Sequence, residues 1–297
     1  MNTTNFDAFN EDPTQTLEIL PSGLDTAVFG ERLPNVLVNN VSLDYKVSVP
    51  QGLFKPAKRH LVHAVQPISF AAHEGEFIGV VGRNGAGKSS LLRLIAGLET
   101  PTTGQVYATT KPTLIGVSAA LNRELTGEQN IELGCLAMGL TPEQAKDAKD
   151  RVMELAGIGD AIKRPMKTYS SGMGARLSFA IMLANRPRIM LIDEALATGD
   201  AATNERFKHA MDDLLGQAGT MFLVSHAAQT IENMCTRAIW MDFGELIMDG
   251  DAEIVSRKYR WFAHVLAQGD EEKAAGLLAD ARELGRRGYL RKSEDAE

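Results

Sequence analysis

The 297-residue chain is 44% hydrophobic and 23% charged, with a formal net charge of −7, the profile of an ordinary soluble globular protein with room for one large domain or two small ones. No basic tract marks nucleic acid as the main partner, and no uninterrupted apolar run approaches the ~18 residues of a membrane span, so a membrane role would have to be lent by a partner. The start has neither a basic nor an apolar leader region, and two isolated cysteines, Cys135 and Cys235, with no Cys/His ligand cluster, fit buried core residues in a reducing compartment rather than zinc or redox chemistry.

Residues 1–35 are rich in Asn, Asp, Thr, Pro and Gly and carry Asp7, Glu11, Asp12, Glu18, Asp25 and Glu31 against the single base Arg32. They show no sustained period and read as a flexible acidic tail. Val36-Leu37-Val38 and Val41 to Val47 are strand material, a break over residues 49–60 reads as an insertion or loop, and strand character returns at Ile68-Ser69-Phe70 and Phe77 to Val81. A helix is expected from Lys88 to Ala96, stopped by Gly97. Residues 119–185 are mainly helical in pattern, interrupted near Gly139 and Pro142. Apolar runs at 189–192 and 220–224 read as buried strands, each followed by a helical segment, 202–215 and 227–234. Alternating strands and helices imply a parallel sheet flanked by helices. Residues 237–249 read as a hairpin turning at Phe243-Gly244, and 251–297 as a helical extension with a charged tail.

Three constellations carry chemistry. The first, Gly82-Arg83-Asn84-Gly85-Ala86-Gly87-Lys88-Ser89, fits G-x-x-x-x-G-K-[ST] between a buried strand and an apolar-faced helix. Such a loop curls its N–H groups around phosphate, and the helix start adds partial positive charge. Lys88 reaches the β- and γ-phosphates, Ser89 can ligate Mg²⁺, and Ser90 follows on the same turn. The second is Asp193-Glu194, delivered by a buried strand to the crevice where ligands sit in such sheets. Asp193 suits Mg²⁺, and Glu194 suits a general base that orients and deprotonates water. The third, Ser170-Ser171-Gly172-Met173, opens a helix and offers hydroxyls and bare N–H groups to an anion. Taken alone it also fits a capped core helix.

In this order, and with Leu223-Val224-Ser225-His226 downstream, these segments resemble the ATP-binding cassette (ABC) ATPase family over roughly residues 36–250. The resemblance implies an α/β P-loop NTPase core with a parallel sheet, an antiparallel β subdomain and an α-helical subdomain near 119–185 that bears the signature. It implies ATP and Mg²⁺, two copies face to face, and Ser170, Ser171, Gly172 and Met173 of one copy closing on the γ-phosphate held by the other. His226 becomes the γ-phosphate switch, Asp200 of Ala195-Leu196-Ala197-Thr198-Gly199-Asp200 faces the partner copy, and Tyr45 is the candidate to stack on adenine.

The sequence departs from the family pattern at two places. The signature reads Tyr-Ser-Ser-Gly-Met instead of Leu-Ser-Gly-Gly-Gln, and the stretch Leu114 to Leu121 offers Ser118 or a neighbour where the family has a lid glutamine. These departures, with the Leu125-Thr126-Gly127-Glu128-Gln129-Asn130-Ile131 run, look like the branch that exports lipid-linked envelope polymers: teichoic acid, O-antigen, capsule or galactan. The resemblance then implies two copies of a polytopic membrane permease as partners and a peripheral place on the cytoplasmic face, with the coupling contact in region 119–165 and no nucleic acid. The rival readings are a soluble cassette ATPase acting on nucleic acid or ribosomes, and a phosphotransferase sharing the loop; the second leaves the signature and His226 unexplained.

Overall fold

In a computed structural model, the protein is described over residues 18–19, 33–49, 58–115, 121–184, 187–193 and 219–286. The acidic tail apart from 18–19 and 33–35, the expected helix at 202–215, the lid stretch at Ser118, Glu194 and Asp200 lie outside the described residues.

Strand β1 (Glu18–Ile19), β2 (Val36–Val49), β3 (Lys58–Ala72) and β5 (Thr103–Ala108) form a sheet in the order β1-β5-β2-β3. Of the expected break over 49–60, Val49 and residues 58–60 are strand, and 50–57 lie outside the described residues. The antiparallel β2–β3 ladder runs from Val36 opposite Ala72 to Val49 opposite Lys58. Positions 58–60, whose basic residues argued against a strand, belong to β3, which stands at the edge of the sheet, where charged residues are common. Edge position also accommodates Pro67, which has no N–H to give a ladder. The register slips between Val41, opposite Ile68, and Leu43, opposite Val65, so β3 carries one extra residue around Gln66-Pro67, a β-bulge.

The second sheet runs β10-β9-β4-β8-β7-β6, from β4 (Phe77–Val81), β6 (Thr113–Ile115), β7 (Ile189–Ile192), β8 (Thr220–Val224), β9 (Arg237–Asp242) and β10 (Glu245–Asp251). All neighbours are parallel except the β9–β10 hairpin. Strands β4, β7 and β8 are buried at every residue, the pattern of a sheet covered on both faces. On one face, Leu91, Leu92, Leu94 and Ile95 of α1 (Lys88–Ile95) join Val80, Phe222 and Ile239. On the other, Phe179 and Met182 of α4 (Ser171–Ala184), Ile231 of α5 (Ala228–Met234), and Tyr259 and Phe262 of α6 (Ala252–Ala267) pack round Trp240. Gly79 is there because a Cβ would stand 2.1 Å from Ile231. The two sheets are joined by buried polar contacts: Asn35 Nδ2 donates to Thr220 Oγ1 at 2.9 Å, and that hydroxyl donates to His73 O at 2.9 Å.

Within the described residues 121–184 the chain is mainly helical. Helices α2 (Gly127–Ala137) and α3 (Pro142–Ala156) each start with a capping box, Thr126 with Gln129 and Thr141 with Gln144, and each such cap contributes about 1 kcal/mol. The fully buried Asn130 donates Nδ2 to the carbonyls of Asn122, Leu125 and Thr126, pinning the chain that enters α2. After the hairpin, the described residues to 286 form two helices packed on the rest of the chain. Asp251 caps α6 by accepting from Glu253 and Ile254 N–H, and α7 (Glu271–Gly285) buries Ala274 and Ala281. Among the described residues, no helix is long and apolar enough to cross a membrane.

At the start of β9, Arg237 is 6% exposed. It donates to Asp249 at 2.7 and 2.6 Å, to Glu76 Oε2 at 3.0 Å and to Ala71 O at 2.8 Å. Burial pushes the Glu76 carboxyl up, but the hydrogen bond from His73 and the Arg237 charge outweigh it and hold Glu76 below its ordinary 4.5. A carboxylate depressed in the folded state adds stability above its unfolded value and loses it as pH falls through the folded one. Glu76→Gln is therefore expected to lower the urea midpoint at pH 7, with the gap to the natural protein closing below about pH 4. A gap of constant size from pH 7 to pH 3 would show that ionisation of Glu76 is not the source.

Candidate functional site

Parallel β4, β8 and β7 lie side by side, Val80 opposite Val224 and Leu223 opposite Ile192. Their C-terminal ends therefore open on the same edge, where α/β sheets bind ligands. Val81 feeds the glycine-rich loop, Ile192 feeds Asp193, and Val224 feeds Ser225 and His226. A cleft of about 310 Å³ at this edge is lined by Asn84, Gly85, Ala86, Gly87, Lys88, Ser89, Ser90 and His226, with Val224, Val62, His63 and Ala64 completing its wall.

The loop owes its shape to two glycines that no other residue could replace without displacement. Gly82 (φ 153°) would place a Cβ 2.3 Å from Met241 O, and Gly87 (φ 96°) one 2.3 Å from Ala64 O. Gly87 caps α1 without a side-chain hydrogen bond, so the helix start offers its N–H groups and partial positive charge to the cleft. Lys88 is 5% exposed, and its Nζ donates to the carbonyls of Gly82 at 2.7 Å and Arg83 at 2.8 Å. A cradle that a Cβ would fill, a buried ammonium and a bare helix start fit a polyphosphate. Ser89, exposed at the helix start, and Asp193, at the strand end, are hard oxygen donors suited to Mg²⁺ that arrives with the phosphates. Among the described residues, no group of three or more His, Cys, Asp or Glu forms a cage for a metal.

Arg83 is not in the cleft lining; its guanidinium is committed to Asp242, Nε and Nη2 each donating at 2.8 Å. Tyr45 is not in the cleft lining. It lies opposite Val62 on the neighbouring strand, half-buried on the apolar cluster below the sheet. Ser170 caps α4, its Oγ accepting from Met173 N–H at 3.3 Å. Ser170, Ser171 and Gly172 are exposed, and a Cβ on Gly172 would meet nothing within 4 Å, so among the described residues that glycine meets no packing need. A single chain does not bring the signature to its own cleft lining. The tyrosine that replaces leucine before the signature has a local reason: Tyr169 Oη donates to Ala161 O at 2.8 Å and lies against Gly127, fixing the approach to α4.

Val62, His63 and Ala64 were not anticipated as cleft residues. The signal was present only as alternation in an edge strand, with nothing to show which face meets the loop. His63 Nδ1 lies 2.7 Å from Asp44 Oδ1 across the ladder.

The sequence family described as ABC transporter matches residues 65–197. The teichoic acids export ATP-binding protein TagH of Staphylococcus haemolyticus is 36% identical over 234 residues, covering 77% of this chain and 89% of that protein. Its namesake from Bacillus cereus is 39% identical over 233 residues, covering 76% of this chain. The chain spans 42% of the length of that Bacillus cereus relative. Among solved structures, a dimeric ATP-binding cassette in a post-hydrolysis state bound to ADP and Pi superposes with a TM-score of 0.62 at 22% identity, over 73% of this chain and 98% of that one. A nucleotide-free cassette gives 0.60 at 17% identity, over 75% and 94%.

Lys88→Ala is expected to abolish ATP binding measured by titration calorimetry. An affinity equal to that of the natural protein would rule out the loop as the phosphate cradle.

Proposed function

Because the chain belongs to the ABC transporter ATP-binding family, in the branch that includes the teichoic acids export ATP-binding proteins, we propose that it is the ATP-hydrolysing subunit of an exporter of a lipid-linked envelope polymer. The polymer class is teichoic acid, O-antigen, capsule or galactan. The observation that carries the enzymatic part is the single cleft in which Lys88 and Ser89 face His226 at the ends of parallel strands.

ATP hydrolysis follows from the residues there. The phosphate oxygens replace the Gly82 and Arg83 carbonyls as partners of Lys88, and the α1 N–H groups neutralise the rest of their charge. Ser89 and Asp193 would hold Mg²⁺, which neutralises charge on the β- and γ-phosphates when bound. Glu194, next in sequence after Asp193, takes the proton of the attacking water as its oxygen bonds to the γ-phosphorus. The bond to the bridging oxygen breaks, leaving ADP and phosphate. His226 contacts the γ-phosphate from the β8 end. Tyr45 is the aromatic nearest in sequence pattern to a base-stacking role. Ser170, Ser171, Gly172 and Met173 close the site from a second copy, with Asp200 at the same junction; the unfilled space at Gly172 supports an approach from outside the chain.

The rest of the reading concerns partners. Two copies of this chain act with two copies of a polytopic permease on the cytoplasmic face of the membrane, and the permease meets the helical subdomain and handles the lipid-linked glycan. Support comes from the names and identities of the relatives.

Glu194→Gln is expected to keep ATP binding, lose turnover by at least about 100-fold, and accumulate as an ATP-bound dimer in size-exclusion chromatography. Turnover at the natural rate would remove Glu194 as the base. Mild detergent extraction of cells is expected to bring down a polytopic membrane protein with the tagged chain. Recovery of ribosomes or nucleic acid in its place would overturn the exporter reading.

A further inference from the structure

The residue after the first glycine of a phosphate loop can be of any type in the motif, yet here its side chain is held by three others. Arg83 is bidentate to Asp242, whose carboxylate is 1% exposed. Its guanidinium carbon sits 4.5 Å from the ring centroid of Phe243 and 5.5 Å from that of Phe262. Phe243 is 68% exposed and adopts φ 45°. For a bulky aromatic this is a strained backbone, at a turn that Asn, Asp or Gly would enter freely. Nothing in the hairpin itself requires the ring. What it does is cover the outer side of Arg83. The turn is held in turn by the β3 bulge, with Gln66 Nε2 donating to Phe243 O at 3.1 Å and Gln66 N–H to Gly244 O at 2.9 Å. Gly244 N–H then donates to Ala86 O within the loop at 3.0 Å.

We propose that Arg83 is a positioning residue for nucleotide binding. Asp242, Phe243 and Phe262 fix its side chain, and its fixed backbone sets the carbonyls on which Lys88 waits and the curl of N–H groups that receives phosphate. Phe262 belongs to α6, so the segment after the hairpin is part of the support of the nucleotide site. The proposal rests on reading the loop as the ATP cradle.

Phe243→Asn separates positioning from mere stability. Asn tolerates positive φ, so the variant relieves strain while uncovering the guanidinium. The expected result is a melting temperature equal to or above that of the natural protein, a KM for ATP raised by about threefold to tenfold, and kcat at saturating ATP within about twofold. Arg83→Lys keeps the charge but not the two-pronged bond, and is expected to raise KM by about tenfold. Phe262→Leu is expected to shift KM in the same direction. If Lys88→Ala left ATP affinity intact, the cradle reading itself would fall. If Lys88→Ala abolished binding while Phe243→Asn and Arg83→Lys kept the natural KM, this proposal alone would fall. It would fall as well if KM rose only in variants whose melting temperature dropped in step.

Discussion

The whole fold depends on holding a short loop in a shape the loop would not keep alone. To receive phosphate, the backbone from Gly82 to Ser89 must turn N–H groups toward the cleft. An N–H so turned gives up the hydrogen bond that stabilises ordinary backbone. The loop must be held from outside. The contacts that do so come from distant parts of the chain: the carbonyl of Ala64 in β3 against Gly87, the carbonyl of Met241 in β9 against Gly82, and the N–H of Gly244 to Ala86. The β3 bulge puts Gln66 where it can grip the β9–β10 turn. The two sheets, which pack as separate layers, meet at this loop.

The same requirement explains the order of strands. β4 lies between β8 and β9, so the strand that feeds the loop is flanked on one side by the strand that delivers His226 and on the other by the hairpin that clamps the loop. β7, beyond β8, brings Asp193 to the same edge. Groups separated by over a hundred residues in sequence thus converge at one edge of the sheet.

Where a residue's neighbours in sequence dictate its structure, the sequence is legible. The runs at 189–192 and 220–224 coincide with β7 and β8 because four or five consecutive apolar residues leave no face for water. Helix α2 begins where Thr126 and Gln129 can cap it. The turn at Phe243-Gly244 stands where the apolar alternation breaks. The long β2–β3 ladder was hidden by charges that an edge strand tolerates. The Arg83–Asp242 pair was hidden because its partners are 159 residues apart and nothing local to either announces the other. Arg83 reads as a phosphate ligand from its place in the motif, and only the fold shows where its guanidinium is committed. Tyr45 shows the reverse limit: its position in the pattern suggests the base, while the cleft wall on that side is built from Val62, His63 and Ala64.

Helix α4 is the piece that joins the cradle to the rest of the proposed catalytic unit. Its residues Leu177, Ala180, Ile181 and Ala184 belong to the core of the helical subdomain, with Ile131, Ala148 and Val152. Its Phe179, Met182 and Leu183 belong to the cluster under the parallel sheet, with Trp240 and Ile231. A helix apolar on all sides over its second half has no freedom to rotate about its axis without opening one core or the other. Ser170 and Gly172, at its solvent-exposed start, are therefore placed by both cores at once. Tyr169 adds a third anchor through Ala161. The signature is as firmly aimed as the cradle, but outward, and it lines no part of its own chain's cleft. A segment anchored in two cores, with nothing within 4 Å of a Cβ at its Gly172, is consistent with the proposed approach of a second copy.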